Sequence, residues 1–141
     1  MDKMGSSDKA GNRGKPATPR DGSAVEIIGL SKCVISWLHE LNVRNQYPHD
    51  GVERIQKDGV KIKWTFLDWA AKIQVNFEKC FWIDVEPVQG DNRHNLINKR
   101  GIYKDCYGAS QEWSDYQLRC NFPIAMAVVS IIFCTLFNRW P

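Results

Sequence analysis

Apolar side chains recur along this chain with two different periods. Ile27, Leu30, Val34, Leu38 and Leu41 step by three, four, four and three, the spacing of one helix face. That spacing predicts a helix over 25–41, with Ser23 as N-cap and Glu26 completing a capping box. Asn42 and the Tyr47-Pro48 pair end it. From Val52 to Trp64 the alternation is loose around Asp58-Gly59, and Val60, Ile62 and Trp64 keep period two, which predicts a small β-hairpin. Thr65 then caps a second helix, with Asp68 three residues on near the positive helix end. Its one apolar face holds Phe66, Trp69, Ala70, Ile73, Phe77 and Phe81. Asp84 to Ser110 is rich in Asn, Asp and Gly with Pro87 among them, and reads as one long loop. A connection of that length inside a compact domain marks function or disorder. A third helix is expected over Pro123 to Phe137, with Pro123 in its favoured first-turn position.

The two ends differ from this core. Residues 1–24 are poor in apolar groups and carry Gly5, Gly11, Gly14, Gly22, Pro16 and Pro19, so a disordered tail is expected, with turn chemistry from Thr18 to Gly22. The uncharged run Phe122 to Phe137 falls just short of the roughly 17–20 apolar residues that span a bilayer. A buried core helix is the preferred reading there and a membrane tail anchor the alternative. The chain has no internal repeats.

Length and composition narrow the classes. The chain has 141 residues, 43% hydrophobic and 25% charged, with mean hydropathy −0.41. These values suit one soluble domain and argue against wholesale disorder, a collagen repeat or a multi-span membrane protein. Nineteen Lys+Arg against 16 Asp+Glu leave a net +3, without a basic run, so no nucleic-acid partner is expected. Cys33, Cys80, Cys106, Cys120 and Cys134 form no Cys-x-x-Cys pair, and an odd set leaves one over in any disulfide framework. His39, His49 and His94 stand apart from them. The cysteines read as reduced and mostly buried in a cytosolic protein, with no metal site and no cofactor expected. Asp2 and Asp8, with no apolar run after them, argue against a signal peptide.

Five features could carry chemistry: Asp2, the Thr18–Glu26 turn, Asp105, the Trp113–Tyr116 cluster, and Arg119 with Asn121. Singly, each has a plain structural explanation. Glu26 would be a helix cap, Asp2 a solvated residue, and Asp115 with Arg119 an i,i+4 surface pair worth about 0.3–0.5 kcal/mol. Together, carboxylates, arginine, asparagine and tryptophans suit a carbohydrate site. Hydroxyls take bidentate donors and acceptors, and the apolar face of a pyranose stacks on an aromatic ring. Cleaving a glycosidic bond needs one carboxylic acid to protonate the leaving oxygen. A second carboxylate acts on water or on the anomeric carbon.

Met1-Asp2-Lys3-Met4-Gly5, Asn12-Arg13-Gly14 and the run Ala17-Thr18-Pro19-Arg20-Asp21-Gly22-Ser23-Ala24-Val25-Glu26-Ile27 resemble the C-terminal amylo-α-1,6-glucosidase region of the eukaryotic glycogen debranching enzymes. So do Asn76-Phe77-Glu78-Lys79, the block Lys99 to Asp105, Tyr107-Gly108-Ala109-Ser110, and Trp113. Asp115 to Arg119, Asn121-Phe122 and Ile124-Ala125-Met126 continue the resemblance in the family's order. It covers residues 1–129, and 130–141 read as a divergent apolar tail. The resemblance implies a mainly α chain, a partial (α/α)6 toroid fragment with a small β-hairpin and long loops. It also implies an inverting, cytoplasmic hydrolase that releases glucose from α-1,6 branch stubs of glycogen or limit dextrin. The remainder of a debranching enzyme would be its partner; no cofactor and no membrane are implied.

On that resemblance Asp2 matches the general acid, and Arg20, Glu26, Asp115, Arg119 and Asn121 match strips that line the sugar cleft. The family's catalytic base, a glutamate, falls beyond Pro141, so no residue here takes that role and the chain alone is expected to release little or no glucose. The family also has a tryptophan just before the position of Met1. Cys120 replaces a family proline between the arginine and the asparagine, which removes a φ lock. Two other readings compete: a catalytically inactive carbohydrate- or partner-binding fragment that keeps Trp113, Asp115 and Arg119, and a small protein tail-anchored through 122–137.

Overall fold

The computed structural model describes residues 20–87 and 92–129. Residues 1–19, with Asp2 and the start of the Thr18–Gly22 turn, and everything after Val129 lie outside the described residues, and with them half of the proposed tail anchor. Residues 20–24 of the expected disordered tail are instead built into the fold, Arg20 by its ion pairs and Ser23–Ala24 as a strand.

Helix α1 (Val25–Val43) starts where the pattern places it but is capped differently. Ala24 holds the N-cap position with an extended backbone and no side-chain cap bond, while Ser23 joins Ala24 in a short strand, β1 (Ser23–Ala24). The Glu26 carboxylate turns away from the cap to Arg20. The buried face is also not the predicted one. Val25, Gly29, Lys32 and Ile35 are buried, whereas Ile27, Leu30 and Val34 stand 40–52% exposed beside Trp37. Only the C-terminal part of the predicted stripe packs inward, with Leu38 against Ile35, Phe66 and Ala70. The helix is apolar almost all round, so helical period fits more than one face, and its neighbours choose between them. One neighbour comes very close: a Cβ on Gly29 would lie 2.9 Å from both Cα and Cβ of Ala125. Glycine is what lets those two backbones touch.

The hairpin forms as the alternation predicts. Strands β2 (Gly51–Ile55) and β3 (Lys61–Thr65) pair antiparallel, Val52 opposite Trp64 and Arg54 opposite Ile62. Gly59 takes φ +82°, a left-handed conformation that glycine alone adopts without strain, and its N–H bonds Gln56 O at 3.0 Å. Thr65 Oγ1 then accepts the Asp68 N–H at 3.0 Å and opens helix α2 (Phe66–Phe81) as expected. Phe66, Ala70, Phe77 and Phe81 are buried along its predicted face, while Trp69 stays partly exposed.

The stretch from Asp84 to Ser110 is not a plain loop. Strand β4 (Trp82–Ile83) pairs antiparallel with β5 (Ile102–Tyr103), and β1 pairs antiparallel with β6 (Cys106–Tyr107). Each pairing is two residues long and joins distant segments, so no local period announces it. A 3₁₀ turn (Glu112–Ser114) leads to helix α3 (Asn121–Val129), which begins two residues before the predicted start and keeps Pro123 in its first turn. Its predicted continuation to Phe137 lies outside the described residues.

Three apolar clusters hold these pieces. Val25, Phe77, Phe81, Tyr103 and Ala125 join α1, α2, α3 and β5, with Phe77 and Phe81 stacked at 4.9 Å and Tyr103 on Phe122 at 5.2 Å. Ile35, Phe66 and Ala70 close the other end of the α1–α2 pair, and Ile83, Ile102 and Tyr116 lie under the long connection. The described residues are thus mainly α with short antiparallel pairs. Their cysteines carry free thiols, but only Cys106 is buried: Cys33 and Cys80 are half-buried and Cys120 is exposed. Apolar volume from aromatic rings, not sulfur, fills the core. Cys134 lies outside the described residues. Among those residues no helix is long and apolar enough to cross a membrane.

Candidate functional site

Asp105 sits between β5 and β6 with its side chain 1% exposed. Its main chain is tied three ways. The carbonyl accepts Val25 N–H at 3.1 Å and Arg20 Nη2 at 3.0 Å, and its own N–H donates to Asp115 O at 2.9 Å. The carboxylate gathers three more groups. Oδ1 accepts Asn121 Nδ2 at 2.8 Å, while Oδ2 lies 2.7 Å from Arg20 Nε and 3.5 Å from Arg119 Nε. The outer edge of the Arg20 guanidinium then meets Glu26 in a bidentate fork, Nη1 to Oε1 at 2.6 Å and Nη2 to Oε2 at 2.5 Å. Arg20, Glu26, Arg119 and Asn121 are thereby brought into one network around a residue to which the sequence reading gave no role. The substitution of proline by Cys120 does not prevent Arg119 and Asn121 from both reaching Asp105.

The charges in this network pull against one another. Burial pushes the Asp105 carboxyl above its ordinary value, and Asn121, Arg20 and Arg119 draw it back down. Burial also works to raise Glu26, but the Arg20 fork outweighs it and the group sits below its ordinary value. Arg20 is held more firmly protonated, first by its hydrogen bonds to Glu26. Two carboxylates and two guanidiniums in one half-buried cluster nearly balance. Such a network orders its members at high geometric precision, whatever its net contribution to stability.

Asp115 does not form the expected i,i+4 arrangement with Arg119. Residues 115–119 are turn and irregular chain, not helix, so a spacing of four does not place them one above the other. Instead its two oxygens accept Gly108 N–H at 2.8 Å and Ala109 N–H at 3.1 Å, closing the loop after β6. Burial raises the Asp115 carboxyl and those two N–H groups lower it. Next to it, Lys104 lies 5.2 Å from the Tyr107 ring and 5.1 Å from the Tyr116 ring, and burial depresses its ammonium against the pull of Asp115. Trp113 is 39% exposed, with Nε1 donating to Gln111 Oε1 at 2.8 Å.

Two further contacts link the segments. Asp21 Oδ1 accepts Ser110 N–H at 2.8 Å, and Tyr103 donates its hydroxyl to Glu78 Oε1 at 2.8 Å. Asp105 and Tyr103 both belong to the run Lys99–Asp105, and Glu78 to Asn76–Lys79, so the sequence signal that could have found them was the resemblance of those blocks. Among the described residues no three His, Cys, Asp or Glu side chains gather as a metal-binding set. Asp2 lies outside the described residues.

Comparisons with known proteins bear on this arrangement. The sequence profile of the family described as Amylo-alpha-1,6-glucosidase matches residues 1–136. The chain is also 42% identical over 138 residues to the glycogen debranching enzyme of Saccharomyces cerevisiae (strain ATCC 204508 / S288c), an alignment covering 94% of this chain. It spans 9% of the length of that relative.

Proposed function

We propose a function for this chain from the family to which it belongs, the amylo-alpha-1,6-glucosidases: it supplies the acid side of a cytoplasmic hydrolase that removes α-1,6-linked glucose at the branch stubs of glycogen or limit dextrin. The observation that supports this reading best is the convergence of Arg20, Glu26, Arg119 and Asn121 on Asp105.

A general acid must hold its proton near neutral pH, which calls for an apolar or crowded setting. Glu26, forked to Arg20 and held below its ordinary value, does not meet that need. Asp105 and Asp115 are raised by burial, but their oxygens are already engaged by Arg20, Arg119 and Asn121 and by the Gly108 and Ala109 N–H groups. The acid is Asp2, the residue that matches the family's general acid on the resemblance. Arg20, Glu26, Arg119, Asn121 and Asp115 then shape the wall on which sugar hydroxyls are hydrogen-bonded. The base, a second carboxylate about 6.5–9.5 Å from the acid so that water fits between, comes from outside this chain, from the remaining helices of an (α/α)6 toroid. Losing general-base help alone typically costs about 10²–10⁴ in rate.

Glucose release from a limit dextrin tests this. The 141-residue chain alone is expected to stay near background. In a complete enzyme carrying this segment, replacing Asp2 by Asn should abolish release while leaving dextrin binding intact. Clear release by the chain alone, or an active D2N enzyme, would overturn the assignment.

A further inference from the structure

The hairpin carries a concave surface that shares no residue with the Asp105 network. Arg54, Gln56, Lys57, Asp58, Ile62 and Trp64 line an open cavity of about 520 Å³, within the roughly 300–1,000 Å³ of small-ligand pockets. The strand register builds it. Arg54 opposes Ile62 and Val52 opposes Trp64, so alternation puts these four on one face of the ribbon. The other face is occupied by its own ion pairs, Glu53 with Lys61 and Asp50 with Lys63. Trp64 is 37% exposed, and the Lys72 ammonium lies 4.5 Å from its ring centre. Lys72 is not part of the cavity wall, so the cation steadies the indole without filling the cavity.

The wall chemistry selects among ligands. An indole, a guanidinium, an amide, an ammonium and a carboxylate offer donors, acceptors and one flat apolar platform within a single shallow hollow. A multiply charged anion would be drawn by Arg54 and Lys57 but opposed by Asp58. An apolar peptide would leave Arg54, Gln56, Lys57 and Asp58 without polar partners. A neutral polyhydroxylated chain satisfies all of it. We infer that the hairpin cavity is an accessory binding site for a linear α-glucan chain. Trp64 stacks on the apolar face of a pyranose, and Arg54, Gln56 and Asp58 bond its hydroxyls. The class of sugar rests on the hydrolase proposed above; the site uses none of its residues.

Titrating the full chain with maltohexaose, and separately with inorganic phosphate, tests the inference by following the Trp64 indole N–H and the backbone amides of 52–64 by NMR. Maltohexaose should shift these signals saturably, and Trp64→Ala and Arg54→Ala should each weaken binding about tenfold, equivalent to about 1.4 kcal/mol. Arg54 is exposed and outside the core, so its variant keeps the test informative if Trp64→Ala fails to fold. No saturable shift at Trp64, or displacement of maltohexaose by phosphate, would sink the inference. The two proposals fail separately. Glucose release without a Trp64 shift removes the hairpin site, and a Trp64 shift with no glucose release from a complete enzyme removes the hydrolase.

Discussion

Arg20 grips both the side chain and the main chain of Asp105, Nε at 2.7 Å from Oδ2 and Nη2 at 3.0 Å from the carbonyl oxygen, across 85 positions of sequence. One guanidinium thus fixes where the start of α1 sits against the connection between β5 and β6. Arg119 and Asn121 fasten the approach to α3 to the same carboxylate.

Removing that side chain should be costly, because the Asn121 amide and the two guanidiniums facing it would lose their acceptor. Asp105→Ala is expected to destabilise the chain by about 1–3 kcal/mol, the cost of leaving buried donors unmet. Urea denaturation measures it, and a change within about 0.5 kcal/mol would show that Asp105 is not the hub.

Acid should act on the network in two steps of opposite sign. The Glu26 carboxyl is held below its ordinary 4.5, so its pairing stabilises the fold above that value and is lost as pH falls through the lowered one. Asp105 is pushed above its ordinary 3.8, so its ionisation costs stability as pH rises through the raised value and protonation relieves that cost. Carboxyl ¹³C shifts followed from pH 7 to pH 2 should place the Asp105 midpoint above 3.8 and the Glu26 midpoint below 4.5. Either midpoint on the other side of its reference value contradicts the assigned pairing.

The loop after β6 depends on Asp115. With Asp115→Ala, the N–H groups of the exposed Gly108 and half-buried Ala109 lose their acceptor and turn to water, at a cost of about 0.5–1.5 kcal/mol. Amide exchange at those two residues should quicken selectively, ahead of the helices. Uniform quickening across the chain would instead mark a general loss of fold.

Neighbouring positions on α1 should respond very differently. Ile35→Ala removes a buried side chain and is expected to cost about 2–5 kcal/mol. Val34→Ala, at 52% exposed, should stay within about 0.5 kcal/mol, and its higher helix propensity works in its favour. Equal costs would place the buried face where the sequence period first put it. The outward stripe of Ile27, Leu30, Val34 and Trp37 is also the apolar surface most exposed to self-association, so Trp37→Gln should raise solubility in a concentration series.

The hairpin and α2 were legible because their instructions are local: Asp58-Gly59 makes the turn, Thr65 makes the cap, and the apolar face of α2 meets the rest of the chain on one side. Arg20, Glu26, Arg119 and Asn121 were found through the resemblance of their blocks, and Asp105 stood among the features of interest without a role. Its partners come from α1, from the segment before it and from the edge of α3, and no spacing in the chain connects them. The same holds for β5 and β6, which lie inside what reads as a loop and pair with strands outside it.

By itself the order of residues determined the hairpin, the presence of three helices and the family of the chain, since turn chemistry, capping and apolar period act over a few residues and resemblance needs no coordinates. Tertiary structure alone decided which face of α1 is buried, that Asp115 serves the backbone of its own loop, and that a single aspartate holds two arginines and an asparagine. The reason is physical: burial and ion pairing depend on distances through space, and folding brought residues 20 and 105 within 3 Å of each other.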